Sequence, residues 1–303
     1  MNELVFVNNI PLLELGVVLG EGSYKSLLQW SALKSVKTNS WAEYDYIEPD
    51  LSNPTLNNRT VTLNFHAQGI EGYETFLNYL KKHSENTFCF PELGVEMQLR
   101  INSSVLQSVT QKWQSFSLQF TDDEPFSIEN PQCSDVPQYG GGNLQVDNKD
   151  LADFGVYILK DTLKSIRQCG KVKERLLINE NSRFGAVYDS NGSVITDSND
   201  FTVNCLLRGE NLDECVQQYY ALLNFLIRKG ERTVVIKSTL EVLGCYYKSS
   251  TCNNVHKKLA SGLAGINFSI TFTLTDRGKI TVLSEDNTRV TLTDLDGNFL
   301  IMR

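Results

Sequence analysis

The chain has 303 residues, 41% of them apolar and 21% charged, which excludes extended disorder, collagen and coiled coil and fits two average domains or one large one. Asp and Glu number 36 against 28 Lys and Arg, a net charge of −8, so a phosphate backbone is disfavoured as the main partner. The longest apolar runs, around Leu222 to Ile227, fall far short of the ~20 residues that cross a bilayer. No basic, apolar leader with a small-residue cleavage site is legible, so synthesis in a cytoplasm is expected.

In chain order, a short strand at Leu15-Gly16-Val17 is followed by Tyr24-Lys25-Ser26-Leu27 and a long loop from Trp41 to Asn58. Val61 to Gly69 alternates apolar and polar residues as a half-buried strand does, and a helix is expected from Tyr73 to Lys82 with Phe76, Leu77 and Leu80 inward. Phe116, Leu118 and Phe120 alternate with Ser117, Gln119 and Thr121 in a closing strand. Thr121 to Asp150 holds Pro125, Pro131, Pro137 and Gly140-Gly141-Gly142 and reads as a connector.

The same series then recurs. Phe154-Gly155-Val156 and Leu163-Lys164-Ser165-Ile166 repeat the opening blocks 139 residues on, and Phe201 to Gly209 repeats Val61 to Gly69, keeping Thr62/Thr202, Asn64/Asn204 and Gly69/Gly209. Between the matching strands, Asn179 to Asp200 forms the second long loop. From Asn211 the spacing of Leu212, Val216, Tyr219, Leu223 and Leu226 predicts a helix opened by an Asn211/Glu214 capping box and stopped near Gly230. Phe268 to Thr273 repeats the closing strand Phe116 to Thr121. The tail, with Ile280 to Leu283, Val290 to Thr293 and Phe299 to Ile301, reads as short hairpin strands.

The organisation expected is therefore mainly β, in β-sandwich or barrel-like units that each carry one packed α-helix. Its parts are copy 1 at 1–121, a connector at 122–150, copy 2 at 151–275 and C-terminal strands at 276–303.

Signals for site chemistry are weak. His66, His83 and His256 are scattered, and the seven cysteines have no C-x-x-C spacing, so reduced, structurally buried thiols are expected, with no metal, no cofactor and no catalytic residue. Gly20-Glu21-Gly22-Ser23-Tyr24-Lys25-Ser26 lacks the glycine before lysine that a phosphate loop needs, and copy 2 keeps Lys164-Ser165 without the glycines. The pair belongs to the shared fold. Asp122, Asp123 and Glu124 read as a solvated run at a strand exit. Trp41, Tyr44 and Tyr46 in the first loop, with Phe184 and Tyr188 in the second, are the candidate interface residues.

Two tandem units of strand, long loop, strand, helix and closing strand resemble the tail-tube fold of bacteriophages. The resemblance is carried by Val61 to Gly69 with Phe201 to Gly209, the helices after each, and Phe116 to Thr121 with Phe268 to Thr273, and it covers about residues 1 to 275. It implies a distal tail or hub-like ring at the end of the tail tube. That ring would be built as a trimer of two-domain chains or a hexamer, in contact with neighbouring tail-tube and tail-tip proteins, with DNA only in transit. The location implied is the virion tail, after synthesis in the host cytoplasm. The alternative is a β-sandwich module that recognises a glycan or protein of the host surface.

Overall fold

The computed structural model describes residues 4–41, 44, 46–109, 113–125, 143–173, 177–178, 184–185, 187–188, 194–239, 241–277, 281–283 and 289–291. Its chain path begins twice with the same hairpin. β1 (Phe6–Val7) and β2 (Ile10–Pro11) are joined through Asn8 and Asn9. Asp147 and Asn148 form the corresponding turn between the third and fourth residues of the second pair, at 144–146 and 149–150. All four turn residues have positive φ, between 48° and 67°, the geometry of a two-residue type I′ turn that Asn and Asp tolerate. The first turn residue also pins the hairpin to its neighbour. Asn8 Oδ1 accepts the Thr87 N–H at 2.8 Å, and Asp147 Oδ1 accepts the Thr233 N–H at 2.8 Å.

Copy 1 continues with β3 (Val17–Leu19), α1 (Ser23–Leu27), β4 (Thr38–Ser40), β5 (Ile47–Pro49), β6 (Arg59–Gln68), α2 (Gly69–Leu80), β7 (Asn86–Phe90), β8 (Val95–Val109) and β9 (Trp113–Asp122). Copy 2 runs β10 (Leu144–Val146), β11 (Lys149–Asp150), β12 (Val156–Ile158), α3 (Thr162–Ile166), β13 (Leu177–Ile178), β14 (Val187–Tyr188), β15 (Asp200–Gly209), α4 (Leu212–Leu226), β16 (Arg232–Ile236), β17 (Glu241–His256) and β18 (Ala264–Arg277). A hairpin of β19 (Thr281–Leu283) and β20 (Arg289–Thr291) follows.

Two seven-stranded antiparallel sheets result, ordered β2-β1-β7-β8-β9-β6-β3 and β11-β10-β16-β17-β18-β15-β12. The second order is the first, element for element. Two of the irregularities match as well, while among the described residues a third on β17, between Gly244 and Cys245, has no counterpart on β8. β8 shifts register against β9 between Ile101 and Ser103 and between Leu106 and Ser108, and β17 shifts against β18 at the corresponding Tyr247/Ser249 and Cys252/Asn254.

The repeated Lys-Ser step has a structural purpose. Ser26 Oγ accepts the Thr62 N–H at 2.7 Å and Ser23 Oγ accepts the Asn64 N–H at 3.0 Å. In copy 2, Ser165 Oγ accepts from Thr202 at 2.8 Å and Thr162 Oγ1 from Asn204 at 3.0 Å. Each short helix thus lies along the edge of β6 or β15 where β3 or β12 stops, and its hydroxyls satisfy strand amides that would otherwise invite another strand.

The fold is mainly β, as the alternation implies. α2 packs on β6 and β9, and α4 on β15 and β18. Phe65, Phe76 and Phe116 form an aromatic nest in copy 1, with ring centroids 5.0 to 6.3 Å apart.

Several expectations need correction. Each copy has a second, short helix besides the long one. α2 starts at Gly69, four residues before the expected Tyr73, and α4 ends at Leu226, ahead of Gly230. Asn211 does cap α4, accepting the Glu214 N–H at 2.8 Å, but Glu214 turns to the Glu210 N–H, so the reciprocal half of the box is absent. The connector is shorter than 122–150: Asp122 ends β9, and β10 and β11 are sheet strands. The glycine triplet, Cys133 and the expected strand Phe299 to Ile301 lie outside the described residues. Asp122 is not solvated. It is 2% exposed and paired with Arg59.

Candidate assembly surface

The two copies meet through a joint built around Trp30. This residue leaves α1 and enters copy 2, where its ring stacks on Tyr219 of α4 at 4.2 Å and lies edge-on or tilted to Tyr247 and Phe268 at 6.1 and 5.7 Å. Trp30 is 3% exposed. Such a cluster buries hundreds of Å² of ring surface, and each favourable ring pair adds ~0.5–1.5 kcal/mol beyond burial. The apolar core is continuous from one copy into the other.

Around Trp30 the chain from Gln29 to Leu33 is laced to β17. Leu33 N–H donates to the Lys248 carbonyl at 2.9 Å, and the Tyr247 hydroxyl donates to the Ser31 carbonyl at 2.7 Å. The Gln29 amide accepts the Cys252 N–H at 2.9 Å and donates to the Ser250 carbonyl. Lys248 sits in the Tyr247/Ser249 bulge and Cys252 opens the second one. The bulges turn backbone groups out of the ladder and towards the other copy, as such irregularities do elsewhere.

A buried ion pair reinforces the joint. Arg59 Nε meets Asp122 Oδ2 at 2.7 Å, its Nη1 donates to both the Leu27 and Gln29 carbonyls, and Tyr220 of α4 approaches the same guanidinium. At the outer end, Glu92 accepts from Tyr24 at 2.9 Å and from Lys257 of copy 2 at 2.7 Å. Gly94, in the turn between β7 and β8, has a φ of +63°, and a Cβ there would lie 1.9 Å from Asp213 of α4. The left-handed backbone there favours glycine, and a larger residue would in addition push the exposed Asp213 side chain aside.

Trp41, Tyr44 and Tyr46 cluster, with centroids 6.2 Å apart for Trp41/Tyr46 and 5.1 Å for Tyr44/Tyr46. Lys173 of copy 2 holds their loop by donating to the Trp41 and Tyr44 carbonyls at 2.6 and 2.7 Å and to Ser40 Oγ at 3.1 Å. Trp41 and Tyr44 remain exposed, and so does Phe184 between β13 and β14. Tyr188 pairs with Leu177 in β14, and its side chain is outside the described residues. The residues that sequence reasoning missed are Trp30, Arg59 and Tyr220.

The face of each sheet opposite its core helix is polar and mostly neutral. On β6 and β9, Asn64 bonds Ser117 at 2.7 Å and His66 bonds Ser115 at 2.8 Å; on β15 and β18, Thr202 lies 3.4 Å from Thr271. Among the described residues no group of three or more His, Cys, Asp or Glu converges, and no helix is long and apolar enough to cross a membrane. Cys205, Cys215, Cys245 and Cys252 are buried, and burial pushes Cys252 up to about 12 and Cys215, with help from Glu214, also to about 12. Cys89 is half-buried and Cys169 is exposed, against the expectation of burial.

No family model matches the chain, and no curated protein matches it. Among solved structures, the chain is similar to the Dit protein (gp 19.1) of phage SPP1, described as a paradigm of the hub adsorption apparatus in phages that infect Gram-positive bacteria. The match covers 89% of this chain and 97% of that one, at 10% identity and a TM-score of 0.32. A likeness this loose assigns neither family nor function.

Proposed function

We propose that the chain is a structural, non-catalytic component of a bacteriophage tail tip: a wall segment of a distal-tail or hub-like ring that continues the tail tube and conducts DNA. One observation carries this reading. A single seven-stranded unit occurs twice in the same element order, and the two copies are fused head to tail through a buried, aromatic joint. A head-to-tail joint is heterologous, and repetition of one generates a ring when the rotation closes. Sheet faces rich in Ser, Thr and Asn suit a lumen that lets an anionic polymer pass without holding it.

Mass measurement in solution together with electron microscopy, with and without tail-tube proteins, tests the proposal. Rings with a central channel are expected. A monodisperse monomer under all of these conditions contradicts it.

The cluster of exposed Trp41 and Tyr44 with half-buried Tyr46 favours a second reading, a module that binds a host-surface glycan or protein. Binding on a glycan array that is lost in Tyr44→Ala would favour that reading over the ring.

A further inference from the structure

The joint inside the chain has two halves, and each half has an unused twin. The first half is the segment of copy 1 from Leu19 to Leu33. Its twin, 139 residues on, is Ile158 to Val172, in which Leu163 stands for Tyr24, Cys169 for Trp30 and Val172 for Leu33. Tyr24 and Trp30 are buried, whereas Leu163 is 36% exposed, Val172 60% exposed and Cys169 exposed. The cleft beside Leu19 to Lys25 is closed on one side by Asn254, Val255 and Lys257 of copy 2. Among the described residues, the cleft at the same place beside Ile158 to Lys164 is lined otherwise by Asn143 and Leu144 of its own copy.

The second half is α4 with β17, and its twin is α2 with β8. Val216 is 0% exposed, and Tyr220, which approaches Arg59 of copy 1, is 1% exposed. Their counterparts on α2, 146 residues earlier, are Ile70, 50% exposed, and Glu74, also exposed. Tyr73 already lies edge-on to Phe116 at 4.8 Å, as Tyr219 lies on Phe268 at 4.8 Å beneath Trp30. β8 also carries the pair of register shifts that, on β17, turn backbone groups towards the neighbouring copy.

We propose that these open halves bind each other between chains: the Ile158 to Val172 segment of one protomer docks on α2 and β8 of the next, repeating the internal joint. Charge agrees with that pairing. The docking segment carries Lys160, Lys164 and Lys171, together with Arg167 that pairs with Glu241 at 3.5 Å, against a single Asp161, and α2 presents Glu71 and Glu74. The aligned positions on α4 are the uncharged Gln217 and Tyr220, the latter at Arg59 in the internal joint. The contact between protomers is thus more polar than the internal one, as suits an interface that forms only after each chain has folded.

This inference rests on the ring reading, and paired interface variants separate the two. Leu163→Glu/Val172→Glu spoils one half, and Ile70→Arg spoils the other. Glu74→Arg is a second variant on the α2 side should Ile70→Arg unfold, as judged by circular dichroism. Native mass spectrometry and electron microscopy of the full chain at rising concentration read the outcome. The wild type is expected to form closed rings, and each variant to remain monomeric with self-association weakened at least ~100-fold. An equimolar mixture of the two variant types is expected to stop at dimers, because one intact half of each kind remains. Variants that form rings like the wild type overturn the joint and leave the ring reading standing. A wild type that never assembles, with tail-tube proteins absent or present, overturns both.

Discussion

Trp30 and Cys169 occupy the same position in two copies of one unit, yet the first is locked among Tyr219, Tyr247 and Phe268 and the second faces solvent. α4 and α2 differ in the same way. Eleven residues of α4 are buried, against Phe76, Leu77 and Leu80 of α2. A duplicated fold therefore separates two requirements. Where the copies agree, in the Ser26/Ser165 staples, the Asn8/Asp147 turns and the alternating strands, the residues make the unit. Where they disagree, they record what sits beside it.

The largest contrast is expected at the ion pair and the indole. Arg59→Met leaves Asp122 charged and buried without its partner, which should cost about 3–5 kcal/mol in chemical denaturation. The counterpart change, Asn199→Ala at a residue whose amide donates to the Gln168 carbonyl at 2.8 Å, should cost only about 1 kcal/mol. Trp30→Ala should cost about 3–5 kcal/mol by emptying the joint, whereas Cys169→Ala should lie within about 0.5 kcal/mol of the wild type. Equal effects at the two positions would mean that the copies are not joined as described.

A smaller effect sharpens the agreement between copies. Ser26→Ala and Ser165→Ala each strip the acceptor from one strand amide, Thr62 or Thr202, so both should destabilise by a similar amount, about 1–2 kcal/mol. Unequal losses would show that the staples are not equivalent.

Thiol chemistry gives the last and mildest test. Cys215 and Cys252, with pKa values pushed up to about 12 by burial, carry almost no thiolate at pH 8, and Cys205 and Cys245 are raised by burial as well. Alkylation of the native chain followed by peptide mapping should therefore label Cys169 ahead of these four. Cys169 should become protected as protomers assemble.

The unit was legible in the sequence because its signals are local: two-residue alternation on β6 and β15, the three-and-four spacing on α4, and hydroxyls at fixed offsets from a strand. The opening hairpins could also have been read from Asn8-Asn9 and Asp147-Asn148, adjacent pairs of the residues that accept positive φ. The joint was not legible, because it depends on which residues of one copy meet those of the other. Its trace was present all the same, in aligned positions of unlike size or charge such as Trp30/Cys169 and Tyr220/Glu74. Asp122 illustrates the limit. Beside Asp123 and Glu124 it reads as one of a solvated acidic run, and only the path of β9 against β6 brings Arg59 to it.

The most direct test of the account is a reconstruction of the assembled particle by electron cryomicroscopy at side-chain resolution. The account predicts a closed ring in which one rotation relates every unit to the next, within and between chains, with Leu163 and Val172 of each protomer covered by α2 of its neighbour. A particle in which those residues face solvent, or in which the step between chains differs from the step within them, would contradict it.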